Sequence, residues 1–377
     1  MKIVLAPDSF KGSLSARDIC TAMRRGIKTA CPSSEIVEIP LADGGEGTVD
    51  NLVHATRGTL IPVEVTGPLG TPVQAHYGVL GDRQTAVIEM AQASGLTLIP
   101  PAQRNPLHAT TYGTGELIRH ALDAGYRRLI IGLGGSATND GGAGMLRALG
   151  LSFLDEKGNV LPDGGAALAH LASLDDSRLD PRLQESAILI ASDVTNPLCG
   201  PAGASAVFGP QKGATPAMVA ELDHALNRFA EVVLQHKGLD IRTLPGGGAA
   251  GGTGAALLGF ANATLRPGIE IVMEATRLHE HLQGADLVLT GEGSLDTQTL
   301  SGKVIAGVTR SAARTNGGVP VVALCGKATL AADQQNDLGL LAAFSIVPGP
   351  CSLEEAVANA ARWTEERTYQ IIRLFHN

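Results

Sequence analysis

The chain reads as an α/β protein of two domains built on parallel sheets, and three features of the sequence lead there. At 377 residues it is long for one hydrophobic core, since domains usually hold about 100–200 residues. Short runs of Val, Ile and Leu alternate with stretches of helical spacing, the pattern of βαβ units. Glycine, at 47 residues, exceeds its usual share of about 7%, while aromatic residues make up only 3%. Such a composition suits many tight turns between packed elements.

The first strand, Ile3-Val-Leu-Ala6, ends in Pro7-Asp-Ser-Phe-Lys-Gly-Ser13, a loop that mixes a carboxylate, hydroxyls and an amine. Ser15 is placed to cap the following helix, whose Ile19, Met23 and Ile27 share one face, with Asp18 in the first turn and Lys28 near the last. A second strand, Glu35-Ile-Val-Glu-Ile39, leads through Leu41-Ala-Asp-Gly-Gly-Glu-Gly-Thr48 to another helix. From about residue 61 the texture changes. Val63, Val65, Val73, Ala75, Tyr77 and Val79 alternate with polar residues around Gly67-Pro-Leu-Gly70, as half-buried antiparallel strands do. An inserted α/β domain is therefore expected over 63–280, with 1–62 and 281–377 forming the other, discontinuous domain.

The inserted part should contain a helix after Gly113, a glycine-rich central loop, the strand Ala187-Ile-Leu-Ile-Ala191 that delivers Asp193, a helix over 216–233, and Pro245-Gly-Gly-Gly-Ala-Ala-Gly-Gly-Thr-Gly254. Beyond it, Asp286-Leu-Val-Leu-Thr290, Val319-Pro-Val-Val-Ala-Leu324 and Ala342-Ala-Phe-Ser-Ile-Val347 read as buried strands. Gly302-Lys303 opens a helix, and a long helix closes the chain over 353–374. Strands alternating with helices make a parallel sheet. Right-handed crossovers then put the strands' carboxyl ends on one edge, where ligands bind in open α/β sheets.

The central loop is Gly132-Leu-Gly-Gly-Ser-Ala-Thr-Asn-Asp-Gly-Gly-Ala-Gly-Met145, between the strand-like Arg128-Leu-Ile-Ile131 and a run of helical spacing. Backbone N–H groups in such a turn can face a ligand, and Ser136, Thr138, Asn139 and Asp140 would lie at the positive end of a helix dipole, which suits phosphate. Alone, Gly132-x-Gly134-x-x-Ala137 is a weak dinucleotide fingerprint, and its glycines serve close helix-to-sheet packing equally well. Gly246-x-Gly248-x-x-Gly251 follows a poor strand and reads with equal weight as a second anion loop or a packing device.

Asp8 and Lys11, Asp43 and Glu46, Asn139 and Asp140, Asp193 and Asn196, and Glu292 with Asp296 and Lys303 all fall just past expected strand ends. Singly, each carboxylate suits an Asx turn or a helix cap. As a set they supply the parts of phosphoryl transfer: an anion cradle, Mg²⁺ ligands, a cation for the moving group and a carboxylate beside the attacking hydroxyl. No G-x-x-x-x-G-K-[ST] occurs, because Gly302-Lys303 is followed by Val304, so a kinase here would be of another class.

The net charge of −8 and the lack of a basic cluster with interleaved aromatics argue against nucleic acid as a partner. Five scattered cysteines without a C-x-x-C pair fit a reduced cytosol. The short apolar run after Met1 does not suit a signal peptide, and no segment approaches the roughly 18 apolar residues of a membrane span, so a cytoplasmic, membrane-free protein is expected. The histidines form no H-E-x-x-H or cysteine cluster, which disfavours transition-metal chemistry. Ser136 lies outside a G-x-S-x-G elbow, and a Ser9 and Lys11 pair is a weak hydrolase signal.

Six motifs together resemble the bacterial type of glycerate kinase: Ala6-Pro-Asp-Ser-Phe-Lys-Gly-Ser-Leu-Ser-Ala16, Ala42-Asp-Gly-Gly-Glu-Gly-Thr48, Gly134-Gly-Ser-Ala-Thr-Asn-Asp-Gly-Gly-Ala-Gly-Met145, Asp193-Val-Thr-Asn-Pro-Leu198, Phe208-Gly-Pro-Gln-Lys-Gly-Ala214 and Gly291-Glu-Gly-Ser-Leu-Asp-Thr-Gln-Thr-Leu-Ser-Gly-Lys303. The resemblance runs in order along the whole chain, with Asn105 and Ile305 as departures where Asp and Pro are expected. It implies a flavodoxin-like doubly wound domain with a second α/β domain inserted, ATP and D-glycerate meeting in a cleft, and phosphorylation at the 2-hydroxyl to give 2-phosphoglycerate. ATP and Mg²⁺ are the implied cofactors, in a monomer or homodimer.

The catalytic candidates are Asp193, which ends a strand before the rigid Val194-Thr-Asn-Pro197 and would orient or deprotonate the hydroxyl, Lys11 as the cation on the phosphoryl group or the substrate carboxylate, and Asp43. Substrate or nucleotide contacts are expected from Asp8, Ser9, Gly44, Gly45, Gly134, Gly135, Ser136, Asn139, Asn196, Lys212, Gly291 and Lys303, and Mg²⁺ ligation from Asp140, Glu292 and Asp296. Which loop serves the nucleotide and which the acid stays open. Two other classes compete. An NAD-dependent oxidoreductase would use the Gly132 loop with Asp155 some 20 residues on, and a non-catalytic sensor would bind a small acid without turnover.

Overall fold

The computed structural model describes residues 1–42, 45, 47–297, 299–301 and 304–375. The expectations for Asp43, Gly44, Glu46, Gly302 and Lys303 therefore lie outside the described residues. Contacts divide the chain into two compact units, one of Met1–Asp43, Asp50–Arg57 and Ile269–Asn377, the other of Gly44–Val49 and Gly58–Gly268. These limits differ from the expected breaks after 62 and 280. The strand Thr59–Thr66 pairs along its whole length with Pro72–Val79, which carries 59–62 into the second unit. The helix Gly268–Ala275 packs on Val304–Ala313, where a Cβ on Gly307 would meet Ile269 Cγ1 at 2.8 Å, and so 269–280 joins the first.

In the first unit five strands lie in the order Glu35–Glu38, Lys2–Pro7, Leu287–Gly291, Val321–Cys325, Ala342–Ser345, all parallel. Counted within the unit this is 2-1-3-4-5, the flavodoxin-like doubly wound order, with its topological switch between the first and third strands. Ile3, Val4, Leu5 and Ala6 are fully buried because helices cover both faces of a parallel sheet. One of them, Ala16–Ala30, begins where the Asp18 N–H donates to Ser15 Oγ at 3.1 Å and buries Ile19, Met23 and Ile27. Its Gly26 is the crossing point with the closing helix Leu353–Phe375: a Cβ there would lie 2.4 Å from the Glu365 carbonyl oxygen.

The second unit holds a six-stranded sheet in the order Thr264–Arg266, Ala187–Ala191, Arg128–Gly132, Thr85–Glu89, Pro72–Val79, Thr59–Thr66. The first four are parallel, and the last two add the antiparallel edge that the alternating valines predict. The parallel register places Glu89 and Ala191 on either side of Gly132, so three strand ends open onto one edge of this sheet. The short strand Ser152–Leu154 stands apart from the main sheet, paired with Ser173–Asp175 and bridged to Val160.

Two glycine stretches fit together at that edge. The Gly141 N–H donates to Gly251 O at 2.9 Å, a Cβ on Gly251 would lie 2.1 Å from Thr138 O, and one on Gly248 2.3 Å from Pro197 O. Of the two readings of the 245–254 stretch, close packing is the one its contacts support. Gly251 also has φ +67°, which L side chains resist. Gly251→Ala should therefore lower the calorimetric Tm strongly, by about 3 kcal/mol or more of stability, through strain and overlap combined. Gly125→Ala, at φ +94° but facing open space, should cost only about 1 kcal/mol; equal losses would show that the loop contact yields easily.

Candidate functional site

In the first unit the loops after strands one and three flank the switch point. Asp8 is buried, at 7% exposure; its own N–H donates to Gly291 O at 2.8 Å, and the Ser9 N–H donates to its Oδ1 at 2.6 Å. Phe10 plugs the core at 4% exposure, leaving Lys11 exposed at the tip. The neighbouring loop runs alongside, since a Cβ on Gly293 would lie 3.6 Å from Lys11 N. Glu292 is buried and accepts a hydrogen bond from Thr299 Oγ1. That same hydroxyl oxygen accepts from the Asp296 N–H at 3.2 Å, and Ser294 Oγ donates to Asp296 Oδ2 at 3.0 Å. Thr299 thus ties the Glu292 carboxylate to the backbone of Asp296. Gly291 permits close strand packing, since a Cβ there would strike Leu324 O at 2.0 Å.

In the second unit the Gly132 loop leads into Ala143–Ala148, a helix of only 6 residues. The positive end of this helix, where an anion was expected, is taken by the chain's own Asp140. Its fully buried carboxylate accepts from Thr111 N at 2.9 Å, Thr111 Oγ1 at 2.8 Å, Gly142 N at 3.1 Å and Gly144 N at 3.2 Å. Burial raises its pKa above the ordinary value, and the donors from Thr111, Gly144 and Gly142 pull the other way. With its oxygens engaged by these donors, Asp140 fits a structural anchor and does not fit the Mg²⁺ ligand that the spacing suggested. Asn139 is likewise closed off, its Nδ2 donating to Ser205 Oγ at 2.9 Å, so it braces the loop from within. Asn196 Nδ2 donates to Ala202 O at 2.8 Å and fixes its own turn.

What remains open is the first half of the loop. Gly134 is half-buried and Gly135, at φ +73°, is exposed. The N–H groups of Gly134, Gly135 and Ser136 donate to nothing among the described residues, although the carbonyl of Gly135 and the N–H of Ala137 are paired with Leu96 and Ser94. Successive N–H groups without an internal acceptor are what an anion-binding nest is built from. Behind them lies Lys212, only 2% exposed, its Nζ donating to Ser136 Oγ at 2.8 Å and Thr138 O at 2.6 Å. Expected as a ligand contact, Lys212 sits beneath the loop. Burial pushes its pKa down to about 7, against the favourable charge of Asp140.

Asp193 follows the strand beside the loop; it is exposed, and its Oδ1 accepts from Gly268 N at 3.1 Å. Gly45 forms a turn, its carbonyl accepting from Thr48 Oγ1 at 2.7 Å. Asn105, the departure from the expected Asp, makes an Asx turn through the Leu107 N–H at 3.1 Å, and Ile305 is a fully buried helix residue. Two residues escaped the sequence reading. Thr111 organises Asp140, and Glu89, 1% exposed at a strand end, accepts from Gly47 N at 3.2 Å. An apolar strand ending in Glu beside a glycine loop was the available signal for the latter. The acid required by the oxidoreductase reading, Asp155, caps an exposed turn by accepting from Lys157 N and Asn159 N, each at 2.8 Å, next to a strand outside the main sheet. That reading loses its ribose partner.

The Lys212 environment makes a testable link to pH. Because its folded pKa lies near 7 and its ordinary value is 10.5, the unfolded chain binds more protons between those limits, and stability rises with pH across them. The Tm of the wild type minus that of Lys212→Met should therefore grow from pH 7 to pH 9.5. A constant difference would mean that the folded chain keeps Lys212 charged throughout.

The profile of the glycerate kinase family matches residues 3–376. A glycerate kinase from Bacillus subtilis (strain 168) is 52% identical over 371 residues, covering 98% of this chain and 97% of its own. A glycerate 2-kinase from Escherichia coli (strain K12) is 49% identical over 360 residues, covering 96% and 94%. A crystal structure from Salmonella typhimurium LT2, described as a glycerate kinase 2, superposes with a TM-score of 0.88 at 53% identity and covers 98% of this chain and 97% of its own. With the two strand-end loop sets in place and the match unbroken from end to end, the chain belongs to the glycerate kinase family.

Proposed function

We propose that the protein transfers the γ-phosphoryl group of ATP to the 2-hydroxyl of D-glycerate, giving 2-phosphoglycerate and ADP. The observation that carries the reading is the row of free N–H groups at Gly134, Gly135 and Ser136 with Lys212 beneath it, a cradle fit for nucleotide phosphates. The E. coli relative named a glycerate 2-kinase supports the 2-hydroxyl over the 3-hydroxyl.

Within this reading Asp193 takes the hydroxyl proton as the oxygen attacks phosphorus, its direction fixed by Gly268. Lys11 supplies the exposed charge at the switch point for the transferred phosphoryl group or the substrate carboxylate. Glu292 and Asp296, coupled through Thr299, offer hard oxygen donors that fit Mg²⁺, an ion usually held by one or two carboxylates plus substrate phosphates. When bound, it would neutralise phosphate charge. Asp8 and Ser9 in the first unit and Gly45 in the second remain proposed ligand contacts. No helix among the described residues is long and apolar enough to cross a membrane. The reading places the enzyme in the cytosol, where its cysteines, all free, would stay reduced.

A coupled ADP-release assay with Mg-ATP over a panel of sugar acids should show turnover with D-glycerate, and phosphorus NMR of the product should place the phosphate on carbon 2; a 3-phosphate would overturn that assignment. Asp193→Asn should lower kcat by about 10²–10⁴ with a smaller change in KM, and near-normal turnover in the folded variant would remove Asp193 from the chemistry. Lys11→Met should raise the glycerate KM or depress kcat at least tenfold, and wild-type kinetics would end its role.

A further inference from the structure

The cradle holds an imbalance that its own residues do not resolve. An ammonium has three N–H donors, and Lys212 uses two, on Ser136 Oγ and Thr138 O; among the described residues the third has no acceptor. Thr138 Oγ1 and Asn139 Oδ1 in the same loop are also buried without a partner. Asp140 is the charged group whose field reaches Lys212, yet its carboxylate is engaged by Thr111, Gly142 and Gly144. The turn that carries Lys212 packs through Gly213 against the Arg104 backbone, 2.7 Å from a Cβ to Arg104 O, and Arg104 Nε is itself buried without a partner. A buried ammonium so poorly compensated is costly until an opposite charge comes close.

We propose that a phosphate-bearing ligand on the Gly134–Ser136 N–H groups supplies that charge and that its binding is coupled to uptake of a proton by Lys212. The proposal rests on the phosphate reading of this loop. Ser136 Oγ, which accepts from Lys212, keeps its own hydrogen to donate outward, so the ammonium acts on the ligand through one hydroxyl. The direction follows from linkage: an anion favours the protonated amine, the free protein at about pH 8 and above holds Lys212 largely neutral, and each binding event there therefore draws a proton from solution.

The test is titration calorimetry of ADP in EDTA at pH 8, where its phosphates are already ionised, in two buffers of different ionisation enthalpy. The wild type should take up close to one proton per ADP, and its affinity should fall toward tenfold per pH unit above pH 8. Lys212→Arg, permanently charged, should bind without taking up a proton, and Lys212→Met should bind weakly and also without uptake, both checked for folding by circular dichroism. ADP binding to the wild type with no proton uptake, or uptake that survives in Lys212→Arg, would overturn the coupling and leave the loop reading standing. Undiminished binding to Gly135→Val would instead show that ADP does not use this loop, and both would fall.

Discussion

The second unit depends on a carboxylate that never meets solvent. Asp140 gathers the start of the helix Tyr112–Asp123 through Thr111 and the first turn of Ala143–Ala148 through Gly142 and Gly144. A buried carboxylate is tolerated only when donors surround it, and here the donors are the backbone of the glycine loop, so the loop's shape and the acid's burial require each other. The glycines around it let Gly251 and Gly252 lie against Thr138 and Gly141, closing the back of the turn. At the front, the N–H groups of Gly134, Gly135 and Ser136 have no acceptor among the described residues.

In the proposed reading, that division lets a protein of net charge −8 offer an anion site. A positive patch on the surface would be screened and would have to compete with many carboxylates. A lysine held under a glycine loop would act across a short, poorly screened distance, and three N–H groups free of internal acceptors would add their dipoles. In the first unit the same edge-of-sheet logic uses side chains: Asp8, Glu292 and Asp296 are fixed by local donors at the switch point, with Lys11 exposed beside them.

Much of this was legible in the chain. Ile3 to Ala6, the Ser15 cap, the alternating valines of 63–79 and the closing helix carry periodicities that survive folding, because burial of one face is what the period encodes. Strand ends followed by Gly, Asp or Lys marked the loops correctly. The tasks within those loops were less visible, since Asp140 in a glycine turn has the same local sequence whether it faces a metal or its own backbone, and only Thr111, 29 residues away, decides. Lys212 and Glu89 acquire meaning by burial beside residues far off in sequence, and Asp155 lost its meaning once Ser152–Leu154 fell outside the main sheet. The domain limits shifted because strand pairing and helix packing, which set them, are not written at the joints.

The claim that carries most of the account is that Asp140 shapes the phosphate loop and does not hold the metal. ADP affinity of folded Asp140→Asn, measured by calorimetry in EDTA and again with Mg²⁺, tests it directly. The account predicts weakened binding by a similar factor in both conditions, together with a lower Tm, because an amide cannot accept all the hydrogen bonds that Thr111, Gly142 and Gly144 donate. Unchanged affinity in EDTA with loss confined to the Mg²⁺ condition would contradict it and return Asp140 to the metal.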